Sequence, residues 1–192
     1  IMSIQDKQRC SWCGNDPLYV AYHDTEWGIP VRDDRHLFEL LSLEGQQAGL
    51  SWIVVLRKRA HYRKVFKNFD IKKVSRMRDE DLDALLEDAG LIRHRLKLYS
   101  IRNNALAALK VQAEFGSLEN YFWGFVNGEP LANERRSTDD VPASTELSEA
   151  LSKDLKKRGF KFIGSTICYA FMQAGGLVDD HVSSCFRHEQ DS

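Results

Sequence analysis

Six residues near the two ends of the chain have metal-binding chemistry. They are Cys10, Cys13 and His23 on one side and His181, Cys185 and His188 on the other. Zinc favours four nitrogen and sulfur ligands in a tetrahedron, with short intervals inside each half-site. On spacing, two groupings compete. Cys10 and Cys13 make a Cys-x2-Cys pair of the kind used in zinc knuckles. Alternatively, Cys10 and His23 join His181 and Cys185, which are four apart and share one side of a helical turn. A redox pair with ordinary surface histidines has the same spacing. A site that used both ends would tie down segments that otherwise fray.

A second group lies at 152–172. There a basic helix end (Lys153, Lys156, Lys157, Arg158) meets a tight turn bracketed by Gly159 and Gly164, with Lys161 inside it. Gly164, Ser165 and Thr166 then open a new helix, whose free backbone N–H groups and positive dipole end suit a phosphate. The plain alternative is a solvated basic helix end. The local pattern resembles the helix–hairpin–helix module, which grips a DNA backbone without reading sequence. A third group is aromatic. Trp12, Tyr19, Tyr22 and Trp27 fall within sixteen residues, and Glu44 and Gln47 interrupt an apolar face that leads to Trp52. Core packing accounts for aromatics in isolation, and Glu44 could cap a neighbouring helix. Aromatics around a lone buried carboxylate also describe a pocket for a flipped, positively charged base.

The elements that must position these groups read as helices. Asp33 or Asp34 caps a segment with Leu37, Phe38, Leu40 and Leu41 on one face, and 51–66 continues at helical spacing. Asp70 opens a short helix through Met77. Asp79 opens another, with Leu82, Leu85 and Leu86 inward and Gly90 past its end. Residues 94–113 form a long helix, and Ser117 starts an aromatic piece from Leu118 to Phe125. Residues 127–144 are an ordered surface loop. Ser144 or Thr145 caps a helix to Arg158, and Gly164 to Ala174 is the last helix. No period-2 strand pair is present, so the fold class is all-α. The chain has 192 residues and a net charge of −1, which argues against coating nucleic acid by charge alone. No run is long and apolar enough for a membrane, and no secretory leader is evident. A disulfide framework is therefore improbable for the four cysteines.

Several motifs in order resemble the 3-methyladenine DNA glycosylase I family of the helix–hairpin–helix superfamily. They are Arg9-Cys10, Asp16-Pro17-Leu18-Tyr19, Tyr22-His23-Asp24, Glu26-Trp27-Gly28, Leu43 through Trp52, Asp88 through Arg93, Arg158 through Gly164, and Phe171 through Ala174 leading to Asp180-His181. The resemblance implies one glycosylase unit over 1–192, with zinc-binding terminal segments 9–30 and 178–188. A helical core over 33–126 and 144–176 would carry the hairpin 159–164. It implies one structural zinc on Cys10, His23, His181 and Cys185, with Cys13 a bystander. Glu44 and Tyr22 would bond the base, Trp52 would stack on it, and Trp12, Tyr19 and Trp27 would surround it. Gly49 and Leu50 would enter the gap left by the extruded base, and Gly159, Lys161, Gly164, Ser165 and Thr166 would hold backbone phosphate. At Asp179 the family often carries Asn. An acid there is a second candidate catalytic carboxylate beside Glu44, or only the cap of the turn before His181.

The implied reaction is hydrolysis of the bond between deoxyribose and 3-methyladenine in double-stranded DNA, releasing the free base. Methylation makes the base cationic and a good leaving group, so selective binding supplies much of the rate. No lysine stands out as a Schiff-base nucleophile, so the strand should stay intact. The expected protein is a monomeric bacterial cytosolic enzyme with no membrane partner. Its rivals are a zinc-dependent DNA-binding module without chemistry, a zinc hydrolase or deaminase, and a bifunctional glycosylase/lyase. The deaminase pattern H-x-E…P-C-x-x-C is absent.

Overall fold

The structure, a computed structural model, describes Ser3 and residues 6–188, so the outermost residues of the expected unit lie outside it. Among the described residues the helices are α1 (Pro17–Thr25), α2 (Asp34–Gln47), α3 (Trp52–Val65), α4 (Ile71–Ser75), α5 (Asp79–Ala84), α6 (Arg95–Phe115), α7 (Leu118–Gly124), α8 (Glu146–Lys157) and α9 (Ser165–Ala174). The molecule is all-α apart from two short strands. These are β1 (Leu131–Ala132) and β2 (Val178–Asp179), paired in parallel with Leu131 opposite Val178. The pairing gives the 127–144 loop a fixed seat against the C-terminal segment.

Local chemistry explains most helix starts. Side chains of Asp33, Asp70, Ser117 and Thr145 accept from backbone N–H groups of the first turns of α2, α4, α7 and α8. Each satisfies a donor that the helix cannot. α5 opens at Asp79 as expected, and the residue before it is Arg78, whose N–H goes to the Asp81 carboxylate. The helix also gives way after Ala84 to a 3-10 turn at Leu85–Glu87. In consequence Leu82 is buried while Leu85 and Leu86 pack only their edges on the core. Helix α1 went unassigned in the sequence, although its signal is local. Asp16 accepts from Leu18 N at 2.9 Å, and Pro17 takes the first helical position, where a missing N–H costs nothing.

Helix α2 is buried along most of its length and packs against α3, α6, α7 and α9. It is therefore a central post, and a polar residue facing inward from it meets other elements rather than water. The chain ends meet: Phe186 N donates to Gln8 O at 2.9 Å, and Ser183 N to Arg135 O at 2.7 Å. Among the described residues no helix is long and apolar enough to cross a membrane.

Candidate functional site

The chain ends bring four ligand-type atoms together. Those of Cys10, His23, His181 and Cys185 all lie within 4.8 Å of one another, and all four residues are buried. Cys185 Sγ is 3.5 Å from His23 Nε2 and 3.6 Å from His181 Nδ1, which is also 3.6 Å from Cys10 Sγ. The outer nitrogens are anchored elsewhere. His23 Nδ1 sits 2.8 Å from Asp24 Oδ1, and His181 Nε2 sits 3.1 Å from Trp27 O. Arg9 grips Asp24 with Nε and Nη2 at 2.8 Å each. Burial pushes the Asp24 carboxyl up, but the Arg9 and His23 bonds prevail and hold it below the usual range. Hydrogen bonds from Cys10, and then from the two histidines, push the Cys185 thiol down against its burial. Gly28 stands against the His181 ring at φ +83°, where a Cβ would come within 3.0 Å of Nε2. This group could hold a metal ion. Cys13 lies outside it, its thiol turned to Cys10 O at 3.2 Å, and no disulfide links the cysteines.

Beside the cluster is a cavity of about 180 Å³. α1 supplies Tyr19 and Tyr22, α2 Glu44 and Gln47, α3 its first residue Trp52, and Trp12 and Trp27 close one side. The five aromatics and the carboxylate that the sequence singled out thus share one cavity. Trp12 ties it to the cluster, its ring 4.9 Å from Trp27 and 5.3 Å from His23, while Tyr22 and Trp52 stand 5.6 Å apart. Two buried atoms there have no hydrogen-bond partner, Glu44 Oε2 and Trp52 Nε1. An unpaired buried acceptor and donor cost free energy unless a ligand completes them. Burial raises the Glu44 carboxyl to about 8. Burial, and then the nearby Glu44, keep Tyr22 a neutral phenol well above its ordinary value.

The rest of the wall was not foreseen. Thr138 and Val141 come from the 127–144 loop, Ala170 and Gln173 from α9, and Asp180 and Val182 from the C-terminal segment. Asp180 is buried and saturated. It accepts from Tyr169 Oη, from Gln173 Nε2 and Asn133 Nδ2 at 2.9 Å each, and from Arg135 Nε at 3.0 Å. Gln173 and Asp180 lie in the C-terminal motifs already quoted, but nothing in the one-dimensional chain places the loop residues beside them. Asp179 is not among the wall residues, and its Oδ1 accepts from His181 N at 3.0 Å.

The remaining expected contacts lie outside the cavity wall. Gly49, at φ +77°, and the exposed Leu50 form the turn between α2 and α3. In the hairpin Gly159 takes φ +88°, Lys161 and Thr166 are exposed, and Gly164 precedes α9 with Ser165 half-buried. Arg158 turns away from the open surface, with Nε on Asp154 and Nη1 on Glu114 at 2.7 Å each.

Comparison with known proteins agrees with this arrangement. The family model for methyladenine glycosylase matches residues 12–188. The chain is 53% identical over 178 residues to DNA-3-methyladenine glycosylase 1 of Escherichia coli K12, covering 93% of this chain and 95% of that protein. A crystal structure of 3-methyladenine DNA glycosylase I superposes with a TM-score of 0.92 at 54% identity, covering 94% of this chain and all of the other. A variant of such an enzyme in complex with 3-methyladenine superposes with a TM-score of 0.90 at 38% identity, covering 92% and 95%. The chain belongs to the methyladenine glycosylase family.

Proposed function

We propose that this protein is a DNA-3-methyladenine glycosylase that hydrolyses the N-glycosidic bond of the alkylated base in double-stranded DNA. The observation that carries the reading is the buried, unpartnered Glu44 carboxyl facing an aromatic cavity. A flipped purine stacks on Trp52 with Tyr22, Trp12, Tyr19 and Trp27 around it. Glu44 accepts from its exocyclic amine, and an ionised Glu44 complements the cation. The glycosidic bond breaks with its electron pair leaving on the base nitrogen, and water adds to the sugar carbon and gives up a proton to solvent, leaving the sugar hydroxyl. The cationic base is a good leaving group, so recognition and exclusion of water do most of the work. Glu44 is the proposed catalytic carboxylate; Asp179 is the second candidate.

The Cys10, His23, His181 and Cys185 set fits a structural zinc. Zn–N and Zn–S lengths of about 2.1 and 2.3 Å give tetrahedral edges of roughly 3.4–3.8 Å, and the short separations of 3.5 and 3.6 Å fall in that range. Each histidine already has its far nitrogen held by an oxygen, as zinc ligands do. With four protein ligands the ion supplies no open position, only a clamp between the chain ends. The protein would act as a single monomeric unit in the bacterial cytosol, its hairpin 159–164 and the Gly49–Leu50 tip on the DNA.

The test is base release. Methylated duplex DNA should yield free 3-methyladenine and abasic sites, with no borohydride-trapped adduct and no strand break. Glu44→Gln should slow release and weaken binding of the free base without abolishing it. A folded, metal-loaded protein that binds DNA and releases no base is a binding module, and the enzymatic reading fails.

A further inference from the structure

Lys97 is almost entirely buried, yet among the described residues it pairs with no carboxylate. Its Nζ donates to Gln46 O in the last turn of α2 at 3.1 Å and to Ala48 O, just past the helix end and before the Gly49–Leu50 tip, at 2.5 Å. Gln46 answers from the other side, Nε2 to Lys97 O at 2.9 Å, and Tyr62 Oη holds Gln46 Oε1 at 3.0 Å. A cation at a helix C-terminus complements its dipole. Even so, burying an amine where leucine or methionine would pack costs free energy unless its donors have a purpose.

Two turns further along α6 the same side of the helix holds the hairpin. Asn104 Oδ1 accepts from Lys161 N at 2.8 Å, and Asn104 Nδ2 donates to Lys161 O at 3.0 Å. Its neighbour Asn103 donates to Gly159 O at 2.8 Å. Seven residues of helix span about 10.5 Å and return to nearly the same face. The last turn of α2 also lies against the hairpin: a Cβ on Gly45 would meet Phe162 O at 3.3 Å.

We infer that Lys97, Asn103 and Asn104 are positioning residues that make α6 a spacer between the tip and the hairpin. The inference rests on the proposed glycosylase reading and adds to it a source of register. The hairpin holds one phosphate group of the backbone while the tip enters the stack a set distance away, so loosening the tip end at Lys97 leaves DNA gripped but the base poorly extruded, and loosening the hairpin end at Asn103 or Asn104 weakens the grip itself. None of the three residues touches the cavity.

Lys97→Met keeps the length and packing of the side chain and removes its donors. Its single-turnover base release should fall about tenfold or more, with affinity for undamaged duplex within threefold of wild type. Lys97→Arg, which restores donors, should recover most of the rate. Asn104→Ala and Asn103→Ala, the latter at a half-buried position, should instead weaken duplex binding, and all variants should bind free 3-methyladenine within twofold of wild type. Asn103→Ala exposes its contact and decides the matter if a buried substitution fails to fold. Release and duplex affinity at wild-type levels overturn the inference, as does an equal loss of free-base binding, which would mark a general loss of structure. If wild-type protein itself releases no base, the glycosylase reading falls, and that outcome is distinct from either.

Discussion

At the scale of single residues, Glu44 holds an unpartnered buried oxygen inside an aromatic cavity. Glu44 stood out as a carboxylate on an apolar face, and Trp52 as the aromatic that follows it. Asp180, Thr138 and Val141 carry no local sign of facing them, because their place depends on a loop and a chain end meeting far along the sequence. The Glu44 environment has a measurable cost. Burial raises its carboxyl from 4.5 to about 8, so between those values the native state holds more protons than the unfolded chain. Stability therefore falls as pH rises through that window. At about 1.4 kcal/mol per unit the cost reaches on the order of 4 kcal/mol at pH 8. Glu44→Gln should melt well above wild type at pH 8 and near it at pH 4, while releasing base more slowly. Calorimetry across pH checks this, and an unchanged difference at both ends would refute the buried, unpaired carboxyl. Asp179 is the opposite case. Its carboxylate already caps His181 N, a role that Asn fills equally well. Asp179→Asn should slow single-turnover base release by less than about tenfold, roughly 1.4 kcal/mol of barrier. A loss of a hundredfold with fold and metal intact would make Asp179 catalytic.

At the scale of elements, what was readable depended on how local the cause is. Asp33, Asp70, Ser117 and Thr145 are capping residues that act within three positions, and α2, α4, α7 and α8 start where they stand. α1 has the same kind of cap in Asp16, but its aromatic residues drew attention to a pocket rather than to a helix. β1 and β2 could not be read at all, since two-residue strands joined across the sequence have no alternation to detect. The hairpin was legible because glycines and lysines punctuate it, although its charge was over-counted. Arg158 is committed to Asp154 and Glu114, leaving exposed Lys157 and Lys161 as the better phosphate partners. Changing both to Glu should weaken duplex binding and flatten the dependence of log K on log salt by roughly one to two units. Free 3-methyladenine should bind as before, because the cavity is walled by other elements. Titrations at several salt concentrations separate this from sequence-specific contacts, which would leave the slope unchanged.

At the scale of the whole molecule, two chain ends close one site. Cys10 and His23 come from the first segment, His181 and Cys185 from the last. Between them runs a relay of support: Arg9 to Asp24, Asp24 to His23, and the Trp27 carbonyl to His181. Trp12 and Trp27 pack on these histidines and also wall the cavity. In the proposed reading, a loosened clamp would therefore reach the cavity through two shared tryptophans, while α6 and the hairpin lie outside that path. Spacing left the ligand set open between a Cys10–Cys13 pair and the four-residue set, because one-dimensional intervals do not say which sulfur points where. In the fold the Cys13 thiol turns to the Cys10 backbone carbonyl and is not among the four clustered ligand atoms. Structural zinc is worth roughly 10 kcal/mol or more of apparent binding free energy in small peptides, so its loss should be felt here as a lower melting temperature. Purified protein should carry about one zinc per chain. Cys185→Ser should lose that zinc, melt earlier and bind free base less well, whereas Cys13→Ser should keep both metal and base binding. Chelation of the wild type should reproduce the Cys185→Ser behaviour and be reversed by added zinc. A Cys185→Ser protein that retained full zinc content, or a Cys13→Ser protein that lost it, would return the ligand set to the Cys10–Cys13 pair.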